Sequence, residues 1–292
     1  MTSKQDMDED VENEYTCSRW VRDIPVDLAL STYINQWAQM TSKARESFDV
    51  ELNICYGNKE ECTLDVYRTK ETLQNAAVFI FFHGGYWQES SKDEYAPPIF
   101  AAMRAAAFTV MVEYQLAPKA TLDEIVAQVK SAVKFVAKRF PESPLYLCGH
   151  SAGAHLSAMM MIQESWEDAD LPKRIKGMCL VSGVYDLLPL LKTTINTAVK
   201  MNEESAKRNS PALQLKLVRP SLRCPVILPV GEYESPSLHN QSKSMLEILK
   251  SHGMECKYFD IPKCDHFSIL SKLTSAEFQL SKELYQMLTE KH

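Results

Sequence analysis

Hydrophobic and polar positions divide this chain into short, wholly apolar runs alternating with stretches of helical spacing. Between Leu28 and about Ser47 the apolar residues Leu28, Leu30, Tyr33, Ile34, Trp37 and Met40 recur near a 3.6 period, which predicts a helix. Phe48–Ile54 then alternates with period two, turns at Tyr56-Gly57-Asn58-Lys59, and alternates again from Cys62 to Tyr67. That pattern predicts an antiparallel hairpin with one wet face. From Ala77 to Phe82 both faces are apolar, as in a strand buried inside a parallel sheet. A helical stretch near 99–107, a strand over 109–114 and an amphipathic helix from Thr121 to about Arg139 follow. The run Leu145–Cys148 predicts the next strand, with a helix behind it to about Ile162. Strands over 176–182, 225–230 and 255–261 come later, with helices over 237–251 and from the last strand to about Thr289.

Buried strands alternating with helices predict an α/β fold with a mostly parallel central sheet, opened by the antiparallel hairpin and covered on both faces. The stretch 187–223 is too long for one short connection and reads as a small helical cap. Met1 to about Glu14 carries six acidic residues, so 1–20 reads as a flexible acidic tail ahead of one domain over 21–292.

Charge and cysteine usage narrow the chemistry. Thirty-two basic against 38 acidic residues give a net charge of −6, and no Lys/Arg cluster forms a nucleic-acid footprint. No apolar run reaches the ~18 residues of a membrane span, and the N-terminus lacks a signal peptide's pattern. The eight cysteines include no C-x-x-C pair, which argues against a zinc site and for free thiols in a reducing, cytoplasmic setting. A small-molecule substrate is the expected partner, without nucleic acid or membrane. The oligomeric state, a homodimer included, is left open.

The candidate chemistry centres on Gly149-His150-Ser151-Ala152-Gly153, which stands between a predicted strand and a predicted helix. A nucleophilic serine at such a sharp turn needs small residues on either side, because a side chain at Gly149 or Gly153 would strike the opposite element. The same pentapeptide also occurs in βα turns with no chemistry, so a base and an acid must be found. His266 follows the last predicted strand on a short loop, where a general base should lie. Glu234 follows the preceding strand and falls between serine and histidine in chain order; Glu232, Asp265 and Asp260 are its rivals. Ala152 and the paired glycines Gly84 and Gly85, at the end of strand 77–82, are candidate oxyanion donors. Tyr86 and Trp87 stand next to them as candidate ring-binding residues or simple packing.

On these residues the chain resembles the α/β-hydrolase family, in the branch carrying a His-Gly-Gly loop. It is more closely similar to the kynurenine formamidases in His83-Gly84-Gly85-Tyr86-Trp87, Gly149–Leu156, Ser182-Gly183-Val184-Tyr185-Asp186-Leu187 and Asp265-His266-Phe267. That family commonly carries Asp where Glu234 stands here. The resemblance implies hydrolysis of N-formyl-L-kynurenine to L-kynurenine and formate in tryptophan degradation, by Ser151, His266 and Glu234, without a metal or organic cofactor. It adds Tyr185 to Tyr86 and Trp87 as a substrate contact. A general carboxylesterase of small acyl or aryl esters is the alternative.

Overall fold

The computed structural model describes residues 7–162, 166 and 170–290. In chain order, α1 (Glu9–Tyr15) and α2 (Val26–Ser47) precede β1 (Asp49–Cys55), β2 (Thr63–Arg68) and β3 (Val78–Phe82). Then come α3 (Pro97–Met103), β4 (Phe108–Val112), α4 (Leu122–Arg139), β5 (Leu145–His150) and α5 (Ala152–Met159). After α6 (Leu171–Arg174) and β6 (Ile175–Val181), three short helices α7 (Asn196–Val199), α8 (Glu203–Arg208) and α9 (Pro211–Gln214) fill the expected cap segment. The chain closes with β7 (Val226–Gly231), α10 (Pro236–Ser251), β8 (Cys256–Ile261), α11 (Ser268–Ser271) and α12 (Gln279–Thr289).

All eight strands form one sheet in the order β1-β2-β4-β3-β5-β6-β7-β8. β1 pairs antiparallel with β2 and β2 with β4, and every later pairing is parallel. The central strands β3, β4 and β5 are buried along their whole length, as their two-sided apolar sequences require. α4 starts with a capping box between Thr121 and Glu124 and turns Ile125, Val129, Val133 and Val136 to the sheet. Parallel order places the carboxyl ends of β3, β5, β6, β7 and β8 on one edge, and every candidate catalytic loop leaves from that edge.

The acidic tail expected over 1–20 is corrected within the described residues. Asp8 caps α1, Glu9–Tyr15 is helical, and Tyr15, Cys17 and Val21 are buried. The acidic residues are used rather than solvated. The Glu12 carboxylate accepts the Thr194 N–H at 2.7 Å and the Thr194 hydroxyl at 2.5 Å, and Glu14 accepts the Ser237 N–H at 2.9 Å. The Tyr15 hydroxyl accepts from Gln241 at 2.9 Å. Residues 1–6 lie outside the described residues.

Candidate active site

Ser151 follows β5 and forms the turn into α5 with φ 55° and ψ −118°, a left-handed conformation rare for a residue with a side chain. The glycines make that turn sterically allowed. A Cβ on Gly149 would stand 2.1 Å from the Gly153 carbonyl oxygen, and one on Gly153 would stand 2.0 Å from the Phe82 carbonyl oxygen. The Ser151 N–H donates to the Val181 carbonyl at 2.8 Å, which fastens the elbow to β6. Ser151 is only 3% exposed, yet it lines a cavity of about 220 Å³ together with His266, Tyr86, Phe267 and residues 15–18.

Behind this cavity wall Glu234 meets His266, which lines it. The His266 Nδ1–H donates to Glu234 Oε2 at 2.7 Å, and both side chains are buried. Glu234 sits just before α10, whose cap Ser235 and first residue Pro236 fix the chain direction. Its other oxygen, Oε1, accepts the Gly231 N–H at 2.9 Å and the Ser182 hydroxyl. Burial raises the carboxyl's pKa, but His266, Ser182 and Gly231 outweigh burial and hold Glu234 below the usual glutamate range. Burial likewise disfavours an imidazolium at His266, and the Cys17 sulfur and the Glu234 carboxylate override it, raising the imidazole well above its ordinary value.

The rival acids do other work. The Asp265 carboxylate accepts the Phe267 N–H at 2.9 Å and the Ser268 N–H at 2.8 Å, forming the turn that presents His266. Glu232 is exposed and accepts the Lys263 N–H at 2.7 Å. Asp260 pairs with His239 at 3.0 Å on the outside of β8. His150 contributes a brace that the sequence reading passed over. Its Nε2–H donates to the His266 carbonyl at 2.8 Å, and burial keeps this imidazole neutral by pushing its pKa well down.

The His-Gly-Gly loop is held from beneath. The His83 ring stacks on Tyr114 with centroids 4.2 Å apart, and its Nε2 meets Glu113 at 3.1 Å. Gly85 has φ +101°, and a Cβ there would lie 2.2 Å from the Glu89 carbonyl oxygen, so this position requires glycine. The two glycines are not equivalent. The Gly84 N–H acts on the buried Tyr95 hydroxyl, whereas Gly85 and Tyr86 line the cavity. Among the described residues the N–H groups of Gly85, Tyr86 and Ala152 carry no hydrogen bond. The Tyr86 N–H is a candidate donor that the search for glycines missed.

Of the three candidate substrate contacts, only Tyr86 faces the cavity, with its hydroxyl donating to the Tyr15 carbonyl at 2.7 Å. Trp87 is fully buried; its Nε1–H donates to His155 Nδ1 at 3.2 Å, and the His155 Nε2–H donates to the Asn209 carbonyl at 2.6 Å. This chain of bonds ties the loop through α5 to the end of α8. Burial lowers the His155 pKa to about 4, keeping the ring neutral and able to accept and donate at once. Tyr185 is also fully buried, with its N–H on Gln241 at 2.8 Å and its hydroxyl on the Leu180 carbonyl at 3.4 Å. Trp87 and Tyr185 are therefore packing residues. Conversely, Tyr15, Thr16, Cys17 and Ser18 line the cavity from a segment read as a tail. An aromatic residue, a cysteine and Trp20 amid the acidic residues were the available signal. Among the described residues no three His, Cys, Asp or Glu side chains converge as a metal site.

Residues 79–270 match the family model of the alpha/beta hydrolase fold. The chain is 36% identical to a kynurenine formamidase of Danio rerio, over 96% of each chain. It is also 36% identical to one of Salmo salar, over 99% of each chain. Among solved structures, a putative thioesterase from Silicibacter sp. superposes with a TM-score of 0.81 at 26% identity, covering 93% of this chain and 97% of that one. The fold, the serine elbow on β5 and the near full-length identity to two vertebrate enzymes lead to one statement: the chain belongs to the kynurenine formamidase family of α/β hydrolases.

Proposed function

We propose that this protein hydrolyses N-formyl-L-kynurenine to L-kynurenine and formate, with Ser151 as nucleophile, His266 as general base and acid, and Glu234 orienting His266. The observation that carries the reading is His266, bonded to Glu234 at 2.7 Å and lining one cavity with Ser151, in a chain 36% identical to formamidases. In the first step His266 Nε2 takes the Ser151 proton as Oγ attacks the formyl carbon. The N–H groups of Gly85, Tyr86 and Ala152 receive the negative charge on the formyl oxygen, and Gly84 shapes the loop that carries two of them. His266 then protonates the aryl nitrogen as the C–N bond breaks and kynurenine leaves. Water, deprotonated by His266, attacks the formyl-serine and releases formate.

Tyr86 and Phe267 offer apolar walls for the aryl ring. The place of the reaction in tryptophan catabolism follows from this substrate. A cytoplasmic setting is part of the same reading, supported by eight free cysteines; among the described residues no helix is long and apolar enough to cross a membrane. The test compares kcat/KM for N-formylkynurenine with that for p-nitrophenyl esters, using wild type and Ser151→Ala. A strong preference for the formamide, abolished in the variant, is expected. A preference for esters would replace the formamidase by a general esterase.

A further inference from the structure

Cys17 is a thiol that the triad reading leaves unused, yet it stands inside the cavity. It is 7% exposed, and it lines the same wall as Ser151 and His266. Its Sγ lies 3.7 Å from the Tyr86 hydroxyl, and it is close enough to the His266 imidazole to influence its proton affinity directly. The cavity is built for a ligand. Ser151 is more than nine-tenths buried, and its Oγ opens into it with no hydrogen-bond partner among the described residues. The other cysteines differ in setting. Cys55 is exposed on β1, Cys256 is half-buried on β8, and Cys62, Cys148, Cys179, Cys224 and Cys264 are buried outside the cavity lining.

We propose that Cys17 is a covalent modification site within the active-site cavity, where small α,β-unsaturated carbonyl compounds add to its sulfur and shut off hydrolysis. The inference rests on the reading of this cavity as the hydrolase site. Addition forms an S–C bond at the β-carbon while the π electrons of the alkene pass to the carbonyl as an enolate. His266 Nε2 takes the thiol proton and returns it to the α-carbon, so the step is redox-neutral and balanced. The adduct then occupies the space next to Ser151 and the imidazole that the substrate needs.

The experiment treats the full chain with N-ethylmaleimide, follows turnover of N-formylkynurenine and of p-nitrophenyl acetate, and maps adducts by mass spectrometry. Turnover is expected to fall in step with the adduct on Cys17, whereas alkylation of Cys55 leaves it unchanged. Cys17→Ser, or Cys17→Ala should the serine variant fold poorly, is expected to lose its own starting activity roughly ten-fold more slowly than wild type. Prior capping of Ser151 with a fluorophosphonate is expected to slow Cys17 labelling by a similar factor, with Cys55 labelling unaffected. Equal inactivation of the Cys17 variants, or turnover that persists with Cys17 alkylated, overturns the proposal. A protein inactive on the formamide but protected at Cys17 by the fluorophosphonate refutes the formamidase reading and leaves the thiol site standing.

Discussion

Gly153→Ala tests whether the elbow and the oxyanion loop form one rigid unit. The added methyl would lie 2.0 Å from the Phe82 carbonyl oxygen and 2.5 Å from that of His83, where ordinary contact begins at 3.4 Å. Both obstacles are backbone at the end of β3, in the centre of the sheet, so no side-chain rotation relieves them. Strand and helix must part by roughly an ångström, and overpacking of this kind costs about 1–3 kcal/mol, here at the upper end. In a domain of this size that lowers the Tm by roughly 4–5 °C. Because Phe82 and His83 lead directly into Gly84 and Gly85, the same shift moves the oxyanion donors away from Ser151. A misplacement of that size costs about 10²-fold in rate. The assay pairs calorimetric melting with kcat/KM, using Gly177→Ala as control, since the nearest groups there are the Met287 side chain and the Tyr146 ring, each at 3.1 Å. A Gly153→Ala protein that melts with the wild type and retains its turnover would refute the argument.

Glu234→Gln is expected to lower kcat/KM by about 10⁴-fold, while Glu232→Gln stays near wild type; steady-state kinetics giving the reverse order would show the wrong carboxylate was chosen. In the proposed mechanism the base is neutral His266, whose pKa is raised above 6.5, so kcat/KM should climb with pH through an inflection above that value. Removing the carboxylate charge in Glu234→Gln should shift the residual profile's inflection downward, and an unmoved inflection would deny the pairing. The same shift predicts that the imidazole's contribution to stability is complete below the unfolded-state value and is lost as pH rises through the folded one. Trp87→Phe leaves His155 Nδ1 buried without a donor and should cost about 1–3 kcal/mol in thermal or urea melts with KM unchanged; a raised KM at unchanged stability would return Trp87 to the substrate site.

The sheet and the candidate triad draw on related signals. Strands β3, β5, β6 and β7 are apolar on both faces because helices cover both faces, so their sequences announce them without knowledge of partners. Parallel order then fixes which loops share an edge, and chain order pointed to His266 and Glu234, which the structure brings into a hydrogen bond. What sequence could not resolve was direction. Trp87 and Tyr86 are adjacent, but the positive φ values of this loop send one ring into the core beside His155 and the other to the cavity. Gly84 and Gly85 read as equals, yet Tyr95, eleven residues on, engages only the first of them. The segment 8–20 was hidden by its charge. Glu12 and Glu14 read as solvated tail residues because the groups that donate to them, on Thr194 and Ser237, lie about two hundred residues away in sequence.

That docking has a bearing on how the enzyme comes into being. Residues 15–18 are synthesised long before the backbone positions that anchor their helix, at 192–194 and 237–241. The wall that residues 15–18 give the cavity is therefore completed only once those later segments are in place.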